Sequence, residues 1–142
     1  MTEVVLLTHA NSAGNMHGGE LMKIMDSAAG VVAKRHSNRN VVTASVDRLI
    51  FKEPILIGNL VLCDAEIIYT GRTSMEIYVT VRVEDLNTGE VKPALEGYFV
   101  MVALDRSGKP TNVPPLEIET SEQQQRFEEA RQRLERMKER PS

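Results

Sequence analysis

The sequence predicts an α+β chain in which a long apolar helix comes first and a set of long strands follows it. Residues 20–35 carry apolar side chains around most of a helical circumference, and such a helix is usually buried. From residue 41 the hydrophobic period changes to two and β-branched residues dominate, which is typical of strands. We therefore expect one buried helix with an antiparallel sheet wrapped around it, and a second helix at the C-terminus.

The first elements are a short strand, a loop and the long helix. An apolar run at residues 4–7 predicts an edge or entry strand, and the polar, glycine-rich residues 8–19 predict a loop. In the helix that follows, the polar residues recur at steps of three or four and so form one narrow stripe. The stripe contains Lys23, Asp26, Ser27, Gly30 and Lys34. Asp26 is thus a carboxylate two turns into an otherwise apolar helix.

The predicted main sheet has four long strands, at residues 41–51, 60–69, 74–84 and 91–104. The connections between them are short and rich in Gly, Pro and Asn, and residues 87–89 (NTG) predict a tight hairpin turn. Short connections favour antiparallel pairing of neighbouring strands. A further turn at residues 106–110 and the prolines at 114 and 115 end the sheet.

A C-terminal helix is predicted from residue 121 to about residue 140, because residues 121–124 (SEQQ) form a capping sequence. One face of this helix carries Phe127, Ala130, Leu134 and Met137. We expect that face to dock on the domain or on another subunit, and the charged remainder to be solvated. The chain then divides into one domain at residues 1–120 and the helix at residues 121–142.

The composition narrows the classes of function. The chain has 142 residues, of which 42% are hydrophobic and 26% charged, which is ordinary for one globular domain. A net charge of -3 and 4% aromatic residues disfavour a nucleic-acid partner. Cys63 is the only cysteine and no secretory signal or membrane-length apolar run is visible, so we expect a cytoplasmic protein without a membrane partner.

Residues 11–26 bring an asparagine, a glycine-rich turn and a helix carboxylate into one short segment. Gly18 and Gly19 lie at the start of the predicted helix, where free backbone N–H groups and the helix dipole suit a developing negative charge. Asp26 is the candidate general base, since partial desolvation would strengthen it. The plainer alternatives are glycines that only turn the chain into the helix and an aspartate that only faces solvent.

Six short runs, in order, resemble the acyl-CoA thioesterases of the cytosolic (brain-type) acyl-CoA hydrolase and YciA-like group. They are residues 11–19 (NSAGNMHGG), 22–26 (MKIMD), 35–36 (RH), 42–47 (VTASVD), Phe51 with Pro54, and 73–76 (TSME). The resemblance spans most of the chain. It implies the hotdog fold, in which a long antiparallel sheet wraps a central helix. It also implies hydrolysis of acyl-CoA to a free acid and CoA, without a further cofactor.

The resemblance also implies roles for individual residues. It makes Asp26 the catalytic carboxylate, either as general base or as nucleophile. It makes Asn11 the residue that polarises the thioester carbonyl or holds the attacking water, where a turn role is the alternative. It favours Gly18 and Gly19 as the donors of an oxyanion hole.

The substrate-binding residues are less sharply defined. The phosphates of CoA require cations at the mouth of the site. Each candidate, taken alone, can also be interpreted as an ordinary surface cation. The candidates are Lys34, Arg35, Arg39 and Arg72. The resemblance places Thr73 and Ser74 near the opposite side of the acyl site, although a plain hairpin is an equal interpretation. His17 is expected to anchor the glycine turn beside the substrate.

Two other functions and one assembly follow from the same residues. His17 and Asp26 together are compatible with a hotdog dehydratase acting on a 3-hydroxyacyl thioester, and the fold is compatible with an acyl-CoA-binding module without turnover. The histidines show no metal-ligand spacing, so we expect no metal site.

Two-domain relatives carry the asparagine and the aspartate on different repeats, whereas this chain carries both. We therefore expect a homodimer, and the resemblance suggests a trimer of dimers.

Overall fold

A computed structural model describes residues 2–7, 18–56 and 58–139. The elements in chain order are β1 (Thr2–Leu7), α1 (Gly18–Ser37), β2 (Asn40–Phe51), β3 (Leu60–Thr70), β4 (Ser74–Glu84), β5 (Val91–Leu104) and α2 (Ser121–Glu139). Each helix and strand expected from the sequence is present, and its ends lie within two residues of the expected ones. The change of hydrophobic period from helical to alternating thus locates the elements well.

The strands form a single antiparallel sheet with the order β1-β3-β4-β5-β2. Hairpins join β3 to β4 and β4 to β5, as short connections predict. The same expectation is wrong for β2 and β3, because their connection carries the chain across the sheet and β2 pairs with β5 instead. β2 and β1 are therefore the two edge strands, and α1 precedes the strand at one edge.

The apolar side of α1 packs across one face of the sheet. Met25, Ala28 and Ala29 are fully buried there, against strand residues such as Ile77 and Phe99. Alanines at the contact let the helix approach the sheet closely, which fits the close packing of protein cores. The polar stripe of α1 stays exposed on the other side. This exposed side of α1 lies beside β2. The candidate site lies there.

The helix α2 begins with a capping box one residue earlier than expected. Thr120 Oγ1 accepts a hydrogen bond from the backbone N–H of Gln123 (3.1 Å), and Gln123 Oε1 accepts one from the backbone N–H of Thr120 (3.1 Å). Ser121 and Gln124 have the same spacing, so the sequence alone does not separate the two pairs. In the structure Thr120 is the cap.

We expect Thr120→Ala to lower the free energy of unfolding by about 1 kcal/mol, the usual loss for a removed N-cap hydroxyl. Chemical denaturation followed by circular dichroism measures this loss. Ser121→Ala is the control and should change stability little. Equal losses in the two variants would contradict the assignment of Thr120 as the cap.

Candidate active site

Asp26 lies on the exposed stripe of α1 and its carboxylate faces the edge strand β2. Thr43 Oγ1 on β2 donates a hydrogen bond of 2.5 Å to Asp26 Oδ1 and lies 3.4 Å from Met101 Sδ. Thr43 points toward α1 because it is paired with Met101, whose buried side chain lies on the helix side of the sheet. The hydroxyl fixes one carboxylate oxygen, and the other accepts no hydrogen bond from the described residues.

The helix starts at Gly18, as the motif predicts, and its first turn carries free backbone N–H groups. A Cβ built at Gly19 would have no atom of the described residues within 4 Å. The positive end of the α1 dipole lies at this end of the helix. Along the helix axis Gly19 and Asp26 are separated by roughly 10 Å. In a single chain the two groups are thus too far apart to act on the same carbonyl.

Two of the sequence-predicted site residues, Asn11 and His17, lie outside the described residues. Ser74 begins β4 and Thr73 directly precedes it after the Gly71 turn, and both make ordinary backbone contacts of the sheet. The backbone oxygen of Thr73 accepts a hydrogen bond from Ala103 N (3.0 Å), and that of Ser74 accepts one from Gly71 N (2.9 Å).

Two of the four cations expected at the mouth of the site lie together. Lys34 and Arg39 line a cavity of about 270 Å³ at the C-terminal end of α1, and Arg106 joins them there. Arg35 and Arg72 are exposed but do not line this cavity. Arg106 does not stand out in the sequence, because its approach to the helix depends on the pairing of β5 with β2, where Asn40 lies opposite Leu104.

Thr43 likewise does not stand out in the sequence as a partner of Asp26. It belongs to the run at residues 42–47, which contributed to the resemblance, but no pattern in the sequence shows that it meets Asp26. Cys63 is fully buried, and burial together with the Asp64 charge raises the pKa of its thiol to about 12. The thiol is therefore protonated and fills space in the core, as expected.

Within the described residues, no group of three or more His, Cys, Asp or Glu side chains is arranged to hold a metal ion. None of the helices in the described part of the chain is long and apolar enough to span a membrane.

Comparisons with known proteins point to one family. The profile of the thioesterase superfamily matches residues 13–90. The protein VdlD of Helicobacter pylori is 42% identical over 135 residues, which is 95% of this chain and 77% of that protein. The cytosolic acyl coenzyme A thioester hydrolase of Rattus norvegicus is 40% identical over 127 residues, which is 88% of this chain and 33% of that protein.

Two solved structures are similar over nearly the whole chain. A hexameric acyl-CoA thioesterase in its apo form is 38% identical, with a TM-score of 0.91 and coverage of 96% of this chain and 90% of that one. The acyl-CoA hydrolase of Staphylococcus aureus, in complex with butyryl coenzyme A, coenzyme A and coenzyme A disulfide, is 34% identical. Its TM-score is 0.87, with coverage of 96% and 85%. Alanine variants of that enzyme at an aspartate, an asparagine and a threonine have also been solved.

Proposed function

Because the chain belongs to the thioesterase superfamily, we propose that it hydrolyses acyl-CoA to a free carboxylic acid and CoA, with Asp26 as the catalytic carboxylate. The observation that carries this proposal is the hydrogen bond from Thr43 to Asp26 at the open side of α1. The three positions changed to alanine in the Staphylococcus aureus enzyme are 15 and 17 residues apart along its chain. Asn11, Asp26 and Thr43 have the same order and the same two spacings.

The chemistry assigns one task to each group. Asp26 removes a proton from water, and the resulting hydroxide attacks the thioester carbonyl carbon. The oxyanion that forms accepts hydrogen bonds from the backbone N–H groups of Gly18 and Gly19. The tetrahedral intermediate then expels the thiolate of CoA, which takes up the proton. Direct attack by Asp26 would instead release the thiolate and form a mixed anhydride, which water then hydrolyses to the free acid and the aspartate.

Two copies of the chain bring these groups together. Gly19 and Asp26 of one chain are roughly 10 Å apart along α1, so we assign the oxyanion donors and the carboxylate of each site to different subunits. The position of β2 at an edge of the described sheet supports this assembly, since its exposed residues Val42, Val46 and Ile50 suit pairing with a second copy. In this assembly Asn11 of one subunit assists Asp26 of the other. Hexameric relatives support a trimer of such dimers.

The remaining assignments are coarser. We place the reaction in the cytoplasm, in line with the relative named cytosolic, and assign no cofactor besides the CoA moiety of the substrate. Residues 1–120 form the catalytic domain in this proposal and residues 121–142 the accessory helix.

A panel of acyl-CoA substrates of increasing chain length, assayed for released thiol, tests the function. Hydrolysis releases one thiol for each acid formed. An enoyl product without free thiol would instead identify the dehydratase, and tight acyl-CoA binding without any product would identify the binding module. Either of these outcomes contradicts the hydrolase.

Thr43 is expected to position Asp26, so that Thr43→Val lowers kcat about 10-fold to 100-fold while KM changes little. This range corresponds to the loss of one hydrogen bond to a charged group. Steady-state kinetics of thiol release measure it, and Thr43→Ser should restore most of the rate because it keeps the hydroxyl. Thr80→Val, on β4 with no contact to Asp26, is the matched control. A similar fall in kcat in the Thr43→Ser variant would contradict the positioning role.

A further inference from the structure

The strand β2 contains a bulge, in which Arg48 and Leu49 together lie opposite the single residue Gly97 of β5. Arg48 has a φ of 51°, which is a strained conformation for a residue with a side chain. Val46 faces the helix side of the sheet, because it pairs with the buried Phe99. In a regular strand Leu49, three residues further on, would face the opposite side. The extra residue turns Leu49 back toward α1.

Gly97 provides the space that Leu49 occupies. A Cβ built at Gly97 would lie 3.0 Å from Leu49 Cδ1 and 3.7 Å from Met25 Cε. The first distance is too short for a relaxed contact, and the second is an ordinary van der Waals distance. Since Gly97 does not have a positive φ, the close approach of Leu49 favours glycine here, and the backbone conformation does not. Leu49 and Met25 therefore reach the same point above Gly97.

Two consecutive residues of α1 lie against β2 at two separate points. Asp26 accepts the hydrogen bond from Thr43, and the fully buried Met25 lies beside Leu49 at the bulge. The two points are roughly 13 Å apart along β2, because the residues opposite them on β5 are separated by four positions. A single contact would fix only the distance between α1 and β2. Two contacts also fix the angle between the helix and the strand.

We propose that Leu49 is a positioning residue, which sets the angle of α1 so that the carboxylate of Asp26 meets Thr43. Hydrogen bonds weaken steeply when their distance or angle changes, so a small rotation of α1 separates these two side chains. This proposal rests on the proposed function, since it takes Asp26 as the catalytic carboxylate. It also gives the strained conformation of Arg48 a role, because the bulge at that residue directs Leu49 to the helix.

Leu49→Ala tests the positioning role through acyl-CoA hydrolysis. We expect kcat to fall about tenfold with KM nearly unchanged, because the hydrogen bond to Asp26 is weakened. In the Thr43→Val background the same change should cause little further loss, since the hydrogen bond on which it acts is already absent. Ile67→Ala is the matched control, because Ile67 of β3 is another partly buried residue packed against the core. It should lower the thermal midpoint to a similar extent and leave kcat unchanged.

Gly97→Ala should have opposite effects with and without the Leu49 side chain. In the wild type the added methyl group displaces Leu49 and should lower kcat. In Leu49→Ala the same methyl group fills part of the vacated space, at an ordinary contact distance from Met25, and should restore part of the rate. A fall of kcat in both backgrounds would contradict the proposed role of Leu49.

Losses of kcat that multiply in Thr43→Val/Leu49→Ala, or an equal fall of kcat in Ile67→Ala, would overturn the positioning role. If the wild type hydrolyses no acyl-CoA, the proposed function fails instead. Crystal structures of the wild type and of Leu49→Ala still test the geometry in that case. A longer distance between Thr43 Oγ1 and Asp26 Oδ1 in the variant supports the positioning role, and an unchanged distance overturns it.

Discussion

Asp26→Asn is expected to lower kcat for acyl-CoA hydrolysis by about a thousandfold, within the 10²- to 10⁴-fold range typical of a lost general base. Asparagine keeps the shape of the side chain and an oxygen that accepts the hydrogen bond from Thr43, so the loss reports the missing charge. KM should change little, because Asp26 is proposed to act on the reacting carbonyl and the other end of the substrate is bound elsewhere. Thiol release under saturating substrate measures the change.

The fold and the assembly should survive this substitution, because Asp26 is exposed in the chain and asparagine has nearly the same shape. Gel filtration and the thermal midpoint check that the variant is intact. Glu122→Gln, an exposed carboxylate in the first turn of α2, serves as the matched control and should retain full activity. Wild-type turnover by Asp26→Asn on every substrate of the panel would remove Asp26 from the mechanism.

The elements of this fold follow from local patterns, whereas their spatial order does not. The helical stripe of α1 and the alternation in β3 and β4 appear directly in the sequence, since they reflect one buried face and one exposed face. The pairing of β2 with β5 brings together segments that are distant along the chain, and no local period encodes it. The short connection favoured a hairpin between β2 and β3. The chain crosses the sheet instead, and this crossover places β2 at the edge of the described sheet.

The same distinction holds for the site. Asp26, Gly18 and Gly19 can be proposed from the sequence because the helix start and the polar stripe are local features. Thr43 and Arg106 cannot, because each approaches α1 only through the register of β2 with β5. A charged run on a helix is usually solvated, and that expectation failed for one residue of α2, Arg133.

Arg133 forms a buried ion pair with Glu76 on the face of the sheet opposite α1. Glu76 is 1% exposed and Arg133 7%, the guanidinium donates a hydrogen bond to Glu76 Oε1, and its Cζ lies 4.0 Å from the centre of the Tyr98 ring. Burial raises the pKa of the Glu76 carboxyl, and the hydrogen bond and charge of Arg133 oppose that rise. The ion pair connects α2 to β4. Its contribution to stability therefore depends on the packing of α2 against the sheet.

Glu76→Ala is expected to lower the free energy of unfolding by about 3–5 kcal/mol, because it leaves the Arg133 guanidinium buried without its carboxylate. The matched control is Glu66→Ala, which breaks the ion pair between Arg126 of α2 and Glu66 of β3 (2.8 Å). Both of those side chains are more than a third exposed, so water replaces the lost contact and the expected cost is below about 1 kcal/mol. Chemical denaturation of both variants measures the difference.

Two further variants separate the charge of Glu76 from its packing. Glu76→Met/Arg133→Met removes both charges and should recover most of the stability lost in Glu76→Ala, whereas an equal loss in the double variant would show that packing dominates.

Since the pKa of Glu76 is raised above its ordinary value of 4.5, folding binds a proton at pH values between that value and the raised one. The wild type should therefore lose stability relative to Glu76→Gln as the pH rises through this window. A difference between the two proteins that is independent of pH would contradict the raised pKa.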